Sequence, residues 1–330
     1  MIRHLIAPIL AVLMLAGCVA RVAGPGLPIV QPVETSDAFI MPDGTALPYR
    51  SWLPQAPPSA IVLALHGMND SRDAWEYPAP DFTAAGIAVF SPDLRGFGAT
   101  GTRGLWPGTD GLASDIRTMT RILRARYPKT RLILMGESMG AAALMVLASQ
   151  PTPPPADGYV LIAPAVWGRT KMNGLMRASL WFASHTVPGL TLTGGGLVRV
   201  TASDNRKALI RLSTDPLTIH ATRIDAIKGL VDLMDQALAA APYVHAPALC
   251  LYGGHDELVP PRAMAATWRA LPRGVVRAFY PNGFHLLLRD KDRAAPIGDI
   301  LSWINNPHAP LPSGAERAAA TWLHSEPVLP

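Results

Sequence analysis

The sequence predicts an α/β fold: a mostly parallel central sheet with flanking helices and a helical cap inserted between two of its strands. Three observations carry this reading. Short apolar runs of strand length recur along the 330-residue chain, and helix-length amphipathic stretches lie between most of them. One interval, 168–247, breaks the alternation and is itself rich in helical pattern. Strands alternating with helices over this length favour a parallel sheet covered on both faces. With 49% hydrophobic and 16% charged residues, the composition excludes a disordered chain.

Along the chain, Arg3 and His4 precede an apolar run from Leu5 to Gly17. The run is too short to span a bilayer and suits the core of a signal peptide, assigned to residues 1–17. Residues 18–36, with Pro25, Pro28 and Pro32, read as an extended tether. Asp43-Gly44, between two strand-like stretches in 37–53, signals a hairpin. Ala60–Leu65 is continuously apolar, as a strand buried on both faces should be, and similar runs follow at Ile87–Phe90, Arg131–Met135, Tyr159–Ala163, Ala248–Tyr252 and Val275–Tyr280. Helical patterns occupy Asp110–Tyr127, Ser138–Ser149, Pro261–Ala270 and Ala294–Ile304. The core is therefore expected at 37–167 and 248–305. A structureless loop as long as 168–247 is uncommon, and Asn205–Leu212 and Ile219–Ala240 look helical, so this interval is expected to be the cap. The tail, 306–330, holds five prolines and one helical stretch, Gly314–His324, and is expected to be peripheral.

The net charge of +5 is carried by arginines that never cluster beyond fragments such as Arg121-Arg124-Arg126, so no nucleic-acid partner is expected. The cysteines are Cys18 and Cys250, and the latter sits in a strand pattern where a free thiol acts as a small hydrophobe. Paired C-x-x-C and H-E-x-x-H patterns are absent, so no metal site is expected. Gly96-Phe-Gly98-Ala-Thr-Gly101 matches a dinucleotide-binding spacing, but Thr102–Gly108, with Pro107, cannot open the required helix, and no cofactor is expected.

Three sites carry chemistry. Gly136-Glu137-Ser138-Met139-Gly140 follows a strand and opens an Ala-rich helix, the setting of a nucleophile elbow that holds a serine hydroxyl clear of the backbone. Asp256, in Gly253-Gly254-His255-Asp256-Glu257 after a strand, can accept an imidazole N–H; Glu257 is a neighbouring rival. His285 follows the last strand at a glycine-containing loop. The order Ser138, Asp256, His285 suits one serine-hydrolase fold and not the others.

These residues, with Leu65-His-Gly67, Ser91-Pro-Asp-Leu-Arg-Gly-Phe-Gly98 and Ser213-Thr-Asp-Pro-Leu217, resemble the α/β-hydrolase fold in its monoglyceride lipase and lysophospholipase-like branch, over about residues 37–305. The resemblance implies Ser138 as nucleophile, Asp256 and His285 as its partners, an oxyanion hole from the N–H groups of Met68 and Met139, and His66 as a structural histidine. It implies an acyl ester or lipid substrate cleaved through an acyl-enzyme. Glu137 and Phe97 each stand where the branch commonly has His. Leu15-Ala16-Gly17-Cys18 resembles the bacterial lipoprotein box, which implies lipidation of Cys18 and a membrane anchor in the bacterial cell envelope. Val19 after Cys18 points to the periplasmic side of the outer membrane.

Substrate class must come from the cap. Leu175, Met176, Leu180, Trp181, Phe182, Val187, Leu190 and Leu192 either pack the cap onto the core or make an apolar entrance for an acyl chain. A serine aminopeptidase of the same fold is a second reading, with Glu137 and Glu76 available to hold an amine. A lipid-binding lipoprotein without catalysis is a third, but it would have no need of all three residues. Oligomeric state is left open.

Overall fold

A computed structural model describes residues 20–193, 200–245 and 247–327. Cys18 and residues 1–17, where a signal peptide is expected, lie outside the described residues.

The strands are β1 (Val33–Glu34), β2 (Ala38–Ile40), β3 (Ala46–Trp52), β4 (Ala60–Leu65), β5 (Ile87–Pro92), β6 (Arg131–Glu137), β7 (Gly158–Ile162), β8 (Thr191–Thr193), β9 (Ala221–Arg223), β10 (Ala248–Gly253) and β11 (Val275–Tyr280). Nine of them form one sheet in the order β1-β2-β3-β5-β4-β6-β7-β10-β11. From β5 to β11 every pairing is parallel, while β1, β2 and β3 join antiparallel. The helices are α1 (Ala79–Ala84), α2 (Thr109–Arg126), α3 (Met139–Ala148), α4 (Gly174–Thr186), α5 (Arg206–Thr214), α6 (Ile224–Ala240), α7 (Pro261–Ala270), α8 (Ala294–Asn305) and α9 (Ala315–Ser325).

The period-two geometry of a strand explains why continuous apolar runs were needed. On β4, Ile61, Leu63 and Leu65 join one core with Leu112, Ile116 and Met119 of α2, much of α3, and Trp268 of α7. Ala60, Val62 and Ala64 face the other way, against Phe82 of α1 and Ile297, Ile300 and Trp303 of α8. A strand in the middle of such a sheet has no polar face, so alternation is erased from its sequence. Cys250 on β10 is free and buried; burial pushes its thiol up to about 12, and its sulfur accepts the Trp268 indole N–H at 3.1 Å.

Segments on the rim are more tightly held than prolines suggest. Between 20 and 36 the chain runs extended but pinned: the Arg21 amide donates to Asp225, Ala23 to the Trp106 carbonyl and Gly26 to Asp43. In the tail, α9 lies on β11, with the Trp322 ring stacked on Phe279 at 4.9 Å and Ala319 buried in the core. The residues resembling Ser91–Gly98 build a turn rather than a ligand site. Arg95 is buried and donates to both Asp115 and Asp43, and Asp93 receives the Arg72 guanidinium and the Ala99 amide. Breaking one arm of such a pair leaves an uncompensated buried charge, which is why the turn holds its shape.

Candidate active site

In parallel α/β sheets, ligands bind at the carboxyl ends of the strands. Here the loops after β4, β6, β10 and β11 leave the sheet on that edge. The loops after β10 and β11 are joined by backbone bonds: Gly254 N–H to the Tyr280 carbonyl and His255 N–H to the Gly283 carbonyl, both 2.8 Å.

Ser138 sits between β6 and α3 with φ 54° and ψ −112°, a conformation that non-glycine residues avoid. The strain is held from both sides. The Ser138 N–H donates to Ile162 at 2.9 Å, and its carbonyl accepts from Ala142 and Ala165 at 2.9 and 3.0 Å. Such a turn brings backbone against backbone. A Cβ on Gly136 would meet the Gly140 carbonyl carbon at 2.5 Å, and one on Gly140 would meet the Leu65 oxygen at 2.6 Å. The two glycines of the motif are therefore steric requirements of the elbow, and the Ser138 side chain is left half-buried at its tip.

His285 Nδ1 and Asp256 Oδ2 lie 2.8 Å apart, and both residues are buried. The second oxygen of Asp256 accepts the amides of Leu258 and Val259 at 2.8 and 2.9 Å, which fixes the carboxylate. Glu257 turns away; it is exposed and accepts the Thr201 amide. Burial alone would pull the His285 pKa down, but the Asp256 carboxylate, with help from Glu137, raises it above the ordinary histidine value. Ser138 and His285 line one cavity of about 450 Å³, together with Met68, Glu137 and Asp70. Among the described residues neither the Met68 nor the Met139 amide donates to a protein acceptor. Met139 opens α3, where the first N–H groups have no partner within the helix.

His66 is structural. It is buried, its Nδ1 lies 2.7 Å from the Gly67 carbonyl, and its Nε2 accepts the Leu94 amide at 3.0 Å. That pair of contacts requires the neutral ring, and burial lowers its pKa accordingly. Among the described residues no group of three or more His, Cys, Asp or Glu is arranged to hold a metal.

Some of the surroundings escaped the sequence. The cavity walls include Leu212 of α5, Leu230 and Met234 of α6, and Val259 and Leu286. None of the apolar residues from Leu175 to Leu192 is among them. Trp181 and Phe182 are 63% and 62% exposed, and Leu175, Val187, Leu190 and Leu192 also face solvent, so they do not pack the cap onto the core as one reading expected. Their helix α4 is short of partners on most sides, which amphipathic spacing alone does not reveal. Asn69, with φ 65°, donates to Thr222 and accepts from the Ile219 amide, tying the loop after β4 to the cap. Arg289 is buried and donates to both Asp70 and Glu137. The signal available for it was a charged pair, Arg289-Asp290, closing the apolar triplet Leu286–Leu288.

Comparisons with known proteins give the family and the fold. A family profile described as Serine aminopeptidase, S33, matches residues 56–292. The chain is 24% identical over 282 residues to the monoacylglycerol lipase of Mycolicibacterium smegmatis, covering 84% of this chain and 99% of that protein. It is 21% identical to the monoglyceride lipase of Rattus norvegicus, covering 83% of this chain and 92% of that one. Among solved structures, the monoacylglycerol lipase of Paleococcus ferrophilus superposes with a TM-score of 0.67 at 21% identity, over 78% of this chain and 98% of that chain. At this identity the superposition shows the fold: an α/β-hydrolase.

Proposed function

The chain belongs to that serine aminopeptidase S33 family, and on this premise we propose that it is a serine hydrolase of carboxylic esters acting on monoacyl lipids. The observation that carries the reading is a buried Asp256–His285 pair sharing one cavity with a serine held on a strained elbow.

In this reading the Ser138 oxygen attacks the ester carbonyl while its proton passes to His285 Nε2. Asp256 keeps the other ring nitrogen protonated and stabilises the imidazolium. The amides of Met68 and Met139 receive the charge that appears on the carbonyl oxygen, where one such donor is worth about 10²–10³ in rate. His285 then gives its proton to the departing alcohol. Water, deprotonated by the same ring, attacks the acyl-enzyme, releases the fatty acid and returns the hydrogen to Ser138.

For substrate class, the relatives quoted above carry monoacylglycerol or monoglyceride lipase names. The cavity is walled by Leu212, Leu230, Met234, Val259 and Leu286, suits a single acyl chain, and falls within the usual size of ligand pockets. The aminopeptidase reading loses its anchors. Glu137 is engaged by Arg289, and Glu76 by Arg211, so neither carboxylate is free for a substrate ammonium. Turnover of a monoacylglycerol, a lysophospholipid and an aminoacyl amide separates the readings. The esters are expected to exceed the amide by at least about 10² in kcat/KM. An amide turned over as well as the esters would transfer the assignment to a peptidase.

Lipidation of Cys18 in a bacterial envelope, on the periplasmic face of the outer membrane, belongs to the same proposal. Arg21, three residues later, bonds through its amide to Asp225, beside the ribbon where β8 pairs with β9 and Leu190 and Leu192 are exposed. Acyl chains on Cys18 would enter a bilayer. Two or more chains give stable anchoring, whereas a single chain gives only marginal, reversible binding. Cys18→Ser is expected to move the protein from the detergent-requiring membrane fraction to the soluble fraction, with turnover of a water-soluble ester retained. A variant that stays with the membrane would remove the anchor from the proposal.

A further inference from the structure

Arg289 lies on the segment after β11, four positions beyond His285, with only 4% of its surface exposed. One nitrogen, Nη2, donates to Asp70 Oδ2 at 2.5 Å and to Glu137 Oε1 at 2.9 Å. Asp70 is two residues past Met68, and Glu137 immediately precedes Ser138. A single guanidinium therefore fastens together the segments carrying the two oxyanion donors, the serine and the histidine. Among the described residues no other ion pair joins these segments.

We propose that Arg289 is a positioning residue for ester hydrolysis, with Asp70 and Glu137 as its two grips. It holds the loop after β4, the elbow and the His285 segment in one register. The proposal rests on the Ser138–Asp256–His285 reading and deepens it.

The physical case has two parts. A buried ion network is a poor means of stabilising a fold, because desolvation of the charges offsets most of their attraction. Its position beside the cavity is better explained by what it fixes in space, since a shift of about 1 Å in reacting groups can cost about 10²-fold in rate. The second part is electrostatic. Charged groups surround His285 from several elements: Asp256 from the loop after β10, Glu137 from the elbow, and Arg289 from its own segment, while Asp70 of the loop after β4 and Glu257 line the same cavity. Glu137 favours the imidazolium and Arg289 opposes it, so the network also sets where His285 becomes a base. Arg289 itself stays protonated: burial works against its charge, but the two carboxylates hold its pKa above the ordinary value.

The test uses a water-soluble p-nitrophenyl ester and the full chain. Arg289→Met is expected to lower kcat by about 10- to 100-fold while KM stays within about threefold. Glu137→Gln keeps an oxygen for Arg289 to donate to but removes the carboxylate near His285; burial raises the pKa of that carboxylate, while the Arg289 guanidinium draws it back toward the ionised form. The acid limb of its kcat/KM profile is expected to move to lower pH. A merely structural contact would leave that limb in place. If Arg289→Met loses its cooperative thermal transition, Glu137→Gln and Asp70→Asn decide, each judged only with its transition intact. The proposal is overturned by folded variants whose kcat stays within about twofold and whose acid limb does not move. Fluorophosphonate labelling of Ser138 in the unmodified protein checks the underlying reading separately, so the two failures are distinguishable.

Discussion

Ser138→Ala is expected to lower kcat for ester hydrolysis by about 10⁶-fold, the order seen when a triad nucleophile is removed. That corresponds to about 8 kcal/mol of transition-state stabilisation. The size follows from the elbow. Its strained backbone, φ 54°, is retained by backbone bonds to the Ile162 carbonyl and from the Ala142 and Ala165 amides that do not involve the side chain, so alanine inherits the same turn. The hydroxyl makes no capping bond to α3, and its loss leaves the helix start as it is. What disappears is the covalent route alone. A residual rate over water of about 10³–10⁴ should survive through the Met68 and Met139 amides and the cavity walls. The measurement is single-turnover and steady-state hydrolysis of a p-nitrophenyl ester, with mass-spectrometric detection of a fluorophosphonate adduct on Ser138. Turnover within about tenfold of the unmodified protein would remove Ser138 from the chemistry.

The elements that frame this site were legible for definite reasons. β4, β6 and β10 are central strands whose two faces are both covered, so they stand out as unbroken apolar runs, and Val275–Tyr280 was placed to the residue. The elbow was legible because its geometry tolerates only glycine at two positions. Asp256 and His285 were legible because each follows a strand that ends on the ligand-binding edge. Elements missed by the sequence reading fail the same criteria. β1 has two residues and β8 and β9 three each, too short for any period to develop, and β8 is fully exposed. Helix α1 carries Pro80 and spans six residues. Arg289 escaped for another reason: its partners lie 219 and 152 positions away, and the charged pair that closes Leu286–Leu288 marks a boundary without naming them. Helix α4 shows the opposite hazard: its apolar residues allow both a packed face and an apolar entrance, and the structure leaves most of them in solvent.

Asp256→Asn should produce the next largest loss, about 10⁴-fold in kcat, for a reason distinct from charge alone. The carboxylate accepts from His285 Nδ1 at 2.8 Å with one oxygen and from two backbone amides with the other. Asparagine retains the shape, but its amide nitrogen is a donor. If the oxygen stays with the Leu258 and Val259 amides, the NH₂ faces Nδ1 and selects the tautomer with its proton on Nε2. That ring cannot take the proton of Ser138. The pH profile supplies an independent check with a definite sign. Burial lowers the His285 pKa and the Asp256 carboxylate more than offsets it, so the imidazolium persists to higher pH than in an ordinary histidine. The base form, which the reaction needs, accumulates only above that raised pKa. Removing the carboxylate charge lowers the pKa, and the acid limb of the residual kcat/KM is expected to move to lower pH. Asp256→Asn with undiminished turnover, or with its acid limb displaced upward, would detach this carboxylate from His285 and return the role of orienting acid to another group on the same edge, of which Glu257 is the adjacent candidate.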